Sequence, residues 1–132
     1  MTSENHTAPA LSVLSEDYAD CRLVRVSGRI DHTNSDGFLN DLSRMAEGVA
    51  NGGGMVVDLG QLEFITSAGL RALLLAQKTL TAAGARLVVT QIKGVVQEVF
   101  RISKFDAILS VAETTDEAVA QISPQAAEAY SG

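Results

Sequence analysis

The 132 residues suffice for one domain with one hydrophobic core and are too few for two ordinary ones. With 46% apolar and 20% charged residues the composition is that of a soluble globular chain and excludes a disordered one, while a net charge of −6 excludes a nucleic-acid surface and favours basic partners. The lone Cys21 leaves neither a disulfide scaffold nor a thiolate zinc site and fits a reduced cytosolic setting.

In chain order, residues 1–10 read as a loose arm. They are polar and lack the basic and apolar regions of a signal peptide, and no stretch approaches a membrane span, so the expected protein is cytoplasmic and makes no membrane contact. The domain itself is expected over 11–122. Leu11, Val13 and Leu14 open a strand, Glu16 to Asp20 read as a polar turn, and Cys21 to Ser27 alternate as a second strand, antiparallel to the first and ended by Gly28. Asn34 or Ser35 can cap a helix along which Phe38, Leu39, Leu42, Met45, Ala46 and Val49 recur at helical spacing, and Asn51 to Gly54 stop it.

Met55 to Leu59 is an apolar run that reads as a central strand covered on both faces, ended by Gly60 and Gln61. Phe64 and Ile65 then anchor Thr66-Ser67-Ala68-Gly69, where two hydroxyls stand at the start of a helix carrying Leu70, Leu73 and Leu80, with Gly84 just past its end. Arg86 to Thr90 is a further buried strand, which makes a parallel strand-helix-strand crossover. A short helix over Lys93 to Ile102 follows, with Val95, Val96, Val99 and Phe100. Ile108 to Val111 read as a last strand, Thr115 to Ile122 as a last helix capped by Thr115, and residues 123–132 as a loose tail.

The start of a helix carries unsatisfied N–H groups and a partial positive charge, so a hydroxyl there stands where a phosphate is well received. Ser67 is therefore either a plain N-cap or a phosphoacceptor. On a wheel of 100° per residue Leu73, Ala76, Leu80 and Ala83 form the inward stripe, whereas Ser67, Arg71, Leu74 and Lys78 share the opposite side with Leu75 at its flank, a surface suited to docking. His6 and His32 are the only histidines and no triad or metal-ligand spacing accompanies them, so no enzyme, cofactor or metal is expected. Gly52-Gly53-Gly54 precedes a strand and lacks a following Lys-Ser or Lys-Thr, which makes it a turn and not a phosphate cradle. Asp58 ends a central strand and reads as structural; for Asp31 both a capping and a functional role stay open.

The phrase from Asp58-Leu59 through Phe64-Ile65-Thr66-Ser67-Ala68-Gly69-Leu70-Arg71 resembles the core motif of STAS domains, in particular bacterial anti-sigma factor antagonists. Gly28-Arg29-Ile30-Asp31 resembles a second family phrase, and the short helix ending in Val99-Phe100 a third, so that the resemblance spans Leu11 to Ile122. It implies an α/β fold, a small mixed sheet with helices packed against it. It also implies that Ser67 is the phosphoacceptor, with Thr66, standing where the family usually has Asp, as the alternative. With the motif residues Gly69 and Leu70, and with Asp31 close to the acceptor, the expected partner-binding set is Asp31, Gly69, Leu70, Arg71, Leu74, Leu75 and Lys78. By the same resemblance the partner is an anti-sigma factor and serine kinase that carries ATP, bound when Ser67 is unphosphorylated and released on phosphorylation, and a PP2C-type phosphatase restores the start. The competing reading is a constitutive scaffold subunit of a larger assembly in which Ser67 only caps its helix.

Overall fold

The structure, a computed structural model, describes residues 10–132. Except for Ala10, the expected N-terminal arm lies outside the described residues. Strands β1 (Leu11–Tyr18) and β2 (Cys21–Ile30) form an antiparallel hairpin through Ala19 and Asp20. There follow α1 (Ser35–Ala46), β3 (Gly54–Ile65), α2 (Ser67–Ala82), β4 (Arg86–Thr90), α3 (Gly94–Ser103), a 3-10 turn at Phe105–Ala107, β5 (Val111–Ala112), α4 (Thr115–Ile122) and α5 (Pro124–Ser131). The five strands lie in sequence order in one mixed sheet, parallel from β2 to β5. This is the small mixed α/β architecture that the sequence predicts.

Alternation along the strands divides the core in two. Val24, Val26, Met55, Val57, Leu59, Leu87 and Val89 face α1, α2 and α3, where they meet Phe38, Leu42, Leu73, Leu80 and Phe100. Cys21, Leu23, Val56, Val88 and Ala112 face the other way, against Ala118, Val119 and Ile122 of α4 and Ala126 of α5. Burial pushes the Cys21 thiol up to about 11, with Asp20 and Asp17 adding to it, so this cysteine is an inert core residue.

Several boundaries differ from expectation. Gly60 and Gln61 do not end β3. The strand runs on to Ile65 because its pairing with β2 absorbs an extra residue twice, between the Arg25 and Ser27 positions and again between Gly28 and Arg29. Gly28 likewise lies inside β2 and not at its end. It has φ +100, and a Cβ there would stand 2.2 Å from the Ala10 carbonyl oxygen, so only glycine lets the chain cross so closely. The last strand shrinks to Val111–Ala112, since Ile108 to Ser110 form a bend that buries only Leu109. Thr114, not Thr115, caps α4, in a reciprocal box with Glu117.

The largest correction concerns residues 123–132, which are not a loose tail. Ser123 caps α5 by accepting the Ala126 N–H at 3.0 Å, Pro124 occupies the first turn, and Ala126 is buried. Tyr130 then meets Tyr18 of β1 edge to face, with ring centroids 5.1 Å apart. Among the described residues no helix is long and apolar enough to cross a membrane.

Candidate functional site

The site forms at the sheet end where the parallel strands finish. Ile30 and Ile65 are register partners, so the turns that follow them, Asp31 to Asn34 and Thr66 to Ser67, emerge side by side. Ends of this kind, with helix N-termini pointing outward, are where open α/β sheets place their functional loops.

Thr66 is the N-cap of α2. Its backbone is extended, and its Oγ1 accepts the Gly69 N–H at 3.3 Å. Ser67 is therefore not the cap. It follows at the first helical position, exposed, with its hydroxyl outside that bond. Gly69 draws the start of the helix onto the strands: a Cβ there would come within 2.7 Å of Ile65 Cγ1 and 2.8 Å of Ile30 Cγ2. A side chain at this position would push the helix start, and Ser67 with it, off the sheet. We expect Thr66→Ala to cost about 1 kcal/mol of stability, as lost N-caps do, while leaving Ser67 exposed. Urea midpoints check the first part; no measurable loss would mean that the cap is not formed.

Asp31 shapes its own turn. Its Oδ1 accepts the Thr33 N–H at 2.9 Å and the Thr33 hydroxyl at 2.5 Å, and its backbone carbonyl accepts the Ser35 N–H at 3.1 Å. The Thr33 hydroxyl, followed by the Thr33 N–H, holds the Asp31 carboxyl below the usual carboxylate range. Asn34 locks the same turn from the other side: its Oδ1 accepts the Asp31 N–H and its Nδ2 donates to the Arg29 carbonyl, both at 2.9 Å. Sequence reading had Asn34 only as a helix cap, and its side chain makes no capping bond. The Asx pattern Asp31-x-Thr33-Asn34 was the available signal. Beside the turn, the Arg29 guanidinium stacks over the Phe64 ring at 5.2 Å.

Along α2 the expected binding set divides. Arg71, Leu75 and Lys78 are exposed. Leu74 is half-buried against the core, an intermediate place that the wheel did not foresee. Gly69 and Leu70 are buried, Leu70 to 1% exposure, so neither offers a side chain to a partner; their place in the site is to hold the helix down. Ala83, expected inward, is exposed because the helix has already ended in the Gly84 turn. Asp58 is structural as expected, its two oxygens accepting the Gly60 N–H at 2.8 Å and the Thr115 hydroxyl at 3.2 Å.

The sequence model for the STAS domain matches residues 13–118. A Bordetella bronchiseptica protein named as an anti-sigma factor antagonist, BtrV, is 46% identical over 66 residues, which are 50% of this chain and 57% of that protein. Among solved structures, an anti-sigma factor antagonist from Mycobacterium paratuberculosis superposes with a TM-score of 0.77 at 22% identity, over 88% of this chain and 97% of the other. The antagonist SpoIIAA in its unphosphorylated form gives 0.69 at 20% identity, over 84% and 96%. Bacillus SpoIIAA in its phosphorylated form gives 0.62 at 19%, over 85% and 100%.

Proposed function

Since this chain belongs to the STAS domain family, we propose that it is an anti-sigma factor antagonist whose binding is controlled by phosphorylation of Ser67. The observation that carries the proposal is the division of labour between the two hydroxyls. Thr66 is held in the cap, whereas Ser67 is exposed at the first helical position of the face that also shows Arg71, Leu75 and Lys78.

In this reading the partner is an anti-sigma factor and serine kinase that carries ATP, and it docks over the start of α2. Transfer of the γ-phosphoryl group to Ser67 Oγ releases the hydroxyl proton and places a dianion against the helix N-terminus. A PP2C-type phosphatase hydrolyses the ester and restores the binding form. The chain is substrate and ligand here, not catalyst. The related antagonists by name, and SpoIIAA known in both phosphorylation states, support the reading. The rival scaffold reading took Ser67 as the cap of its helix, and that position belongs to Thr66.

The test is incubation with ATP and each purified candidate serine kinase, followed by phosphopeptide mapping. We expect phosphate on Ser67. Phosphate chiefly on Thr66 would show the register to be wrong, and no transfer from any kinase that binds the chain would favour the scaffold.

A further inference from the structure

We propose that the chain pairs with a second copy of itself through the outer edge of β1, in an antiparallel register that sets Leu14 opposite Leu14 of the other copy. The sheet has two edges. At one, β5 is only the two residues Val111–Ala112, too short to template another strand. At the other, β1 runs for eight residues, Leu11–Tyr18, and its register with β2 is unbroken from Leu11 opposite Gly28 to Tyr18 opposite Cys21. It thus has none of the prolines, lysines or bulges by which proteins blunt an edge. Among the described residues no strand pairs with its outer side, and Leu14, Ser15, Glu16 and Asp17 are all exposed, Leu14 to 67%. Its two carboxylates do not guard it either. Glu16 is bound to Arg25 at 2.6 Å and Asp17 to Arg22 at 2.8 Å, both on β2 of the same chain, so the edge brings little uncompensated charge to its own copy.

The backbone fixes which groups this edge offers. The Arg29 N–H donates to the Ala10 carbonyl at 2.8 Å, and these two residues stand opposite each other when the β1–β2 register is carried one step past Leu11. Hydrogen-bonded residues alternate along an antiparallel pair, so the even positions from Ala10 to Tyr18 turn their N–H and C=O toward β2, while Leu11, Val13, Ser15 and Asp17 turn theirs outward. A twofold axis normal to the sheet at Leu14 brings all four outward residues into hydrogen-bonded pairs, Val13 with Ser15 and Leu11 with Asp17. Leu14 then meets its copy in a closely spaced pair without hydrogen bonds, and Glu16 lies opposite Ser12. No carboxylate faces another, and the exposed leucine gains an apolar neighbour. Centring the axis on Ser15 instead sets Leu14 against Glu16 and leaves Leu11 opposite the turn at Ala19. This self-complementarity selects a second copy over a foreign strand.

The inference goes beyond the proposed function and does not depend on it. β2 stands between β1 and β3, which keeps the paired edge away from the start of α2. The axis also reverses one copy against the other, so the two ends that show Ser67 point in opposite directions, and each copy can hold its own partner.

Sedimentation equilibrium of the full chain over a range of concentrations, with no kinase present, tests the pairing. We expect a reversible dimer. Leu14→Lys sets two ammonium groups face to face, and Ser15→Pro removes an outward N–H without touching the β1–β2 bonds; each should weaken the dimer at least about tenfold while the far-ultraviolet dichroism stays that of the folded chain. Leu14→Cys should link the copies on oxidation with diamide, because Cα atoms in such a pair stand about 4.5 Å apart, within disulfide reach. Cys21 is buried and stays out of the reaction. Ser15→Cys, whose copies stand diagonally across the register, should not link. A chain that stays monomeric, a dimer unmoved by both Leu14→Lys and Ser15→Pro, or linkage at Ser15 and not at Leu14 would overturn the proposal.

Discussion

Leu73→Ala lowers the stability of the domain by about 2–5 kcal/mol, whereas Leu75→Ala, two positions on, stays within about 0.5. Leu73 is fully buried between α2 and the sheet, among side chains held by both neighbouring helices, so its loss leaves a cavity that the surroundings only partly close. Leu75 is 40% exposed and loses mainly solvent contact. Leu74 lies between the two in burial and belongs between them in cost. Denaturant midpoints for the three variants at unchanged m-value give the order directly. Equal losses at Leu73 and Leu75 would mean that the orientation of α2, and with it the docking face, is wrong.

The second large effect is on binding. Phosphorylated Ser67 should weaken partner affinity at least about tenfold, or about 1.4 kcal/mol, with the fold intact. On the domain alone, the phosphate meets free N–H groups and the positive end of the α2 dipole, worth about 0.3–1 kcal/mol for ordinary charges, so Tm holds or rises slightly. At a close interface the same group must be desolvated opposite whatever the partner set against a neutral hydroxyl, and there the cost is larger. Thermal melting and affinity measured on one phosphorylated sample separate these. A collapsed fold, or unchanged affinity for the cognate kinase, refutes the switch. Ser67→Ala should stay bound and Ser67→Asp should bind more weakly, although by less than phosphate, since a carboxylate brings one charge and two oxygens.

The central strand, the three helices that pack on one face and β4 were legible because their apolar residues recur at the period of each element. What was missed has local causes. Gly60 and Gln61 look like a strand ending, since nothing in the strand's own pattern shows that it will bulge twice and keep pairing with β2. α5 was missed because its short alanine-rich run has little periodicity, although Ser123-Pro124 is a regular way to begin a helix. At the start of α2, two adjacent hydroxyls left the cap ambiguous by one residue, and only the Gly69 N–H bond to Thr66 resolves it. Leu70 was placed in the binding set through its motif; the wheel, applied to the same residue, would have turned it inward.

The pairing of Tyr130 with Tyr18 has an optical consequence. The chain has two tyrosines and no tryptophan, so its tyrosine emission and the tyrosine band of its near-ultraviolet dichroism come from that one edge-to-face contact. The contact lies on the α4–α5 side of the sheet, opposite the helices that follow Ser67 and Lys93. Tyrosine emission and the tyrosine dichroism band therefore report whether the C-terminal helix is seated on the hairpin. They are silent toward an event confined to the face of α2 that shows Ser67, and a change in them on adding a partner means that the disturbance has crossed the sheet.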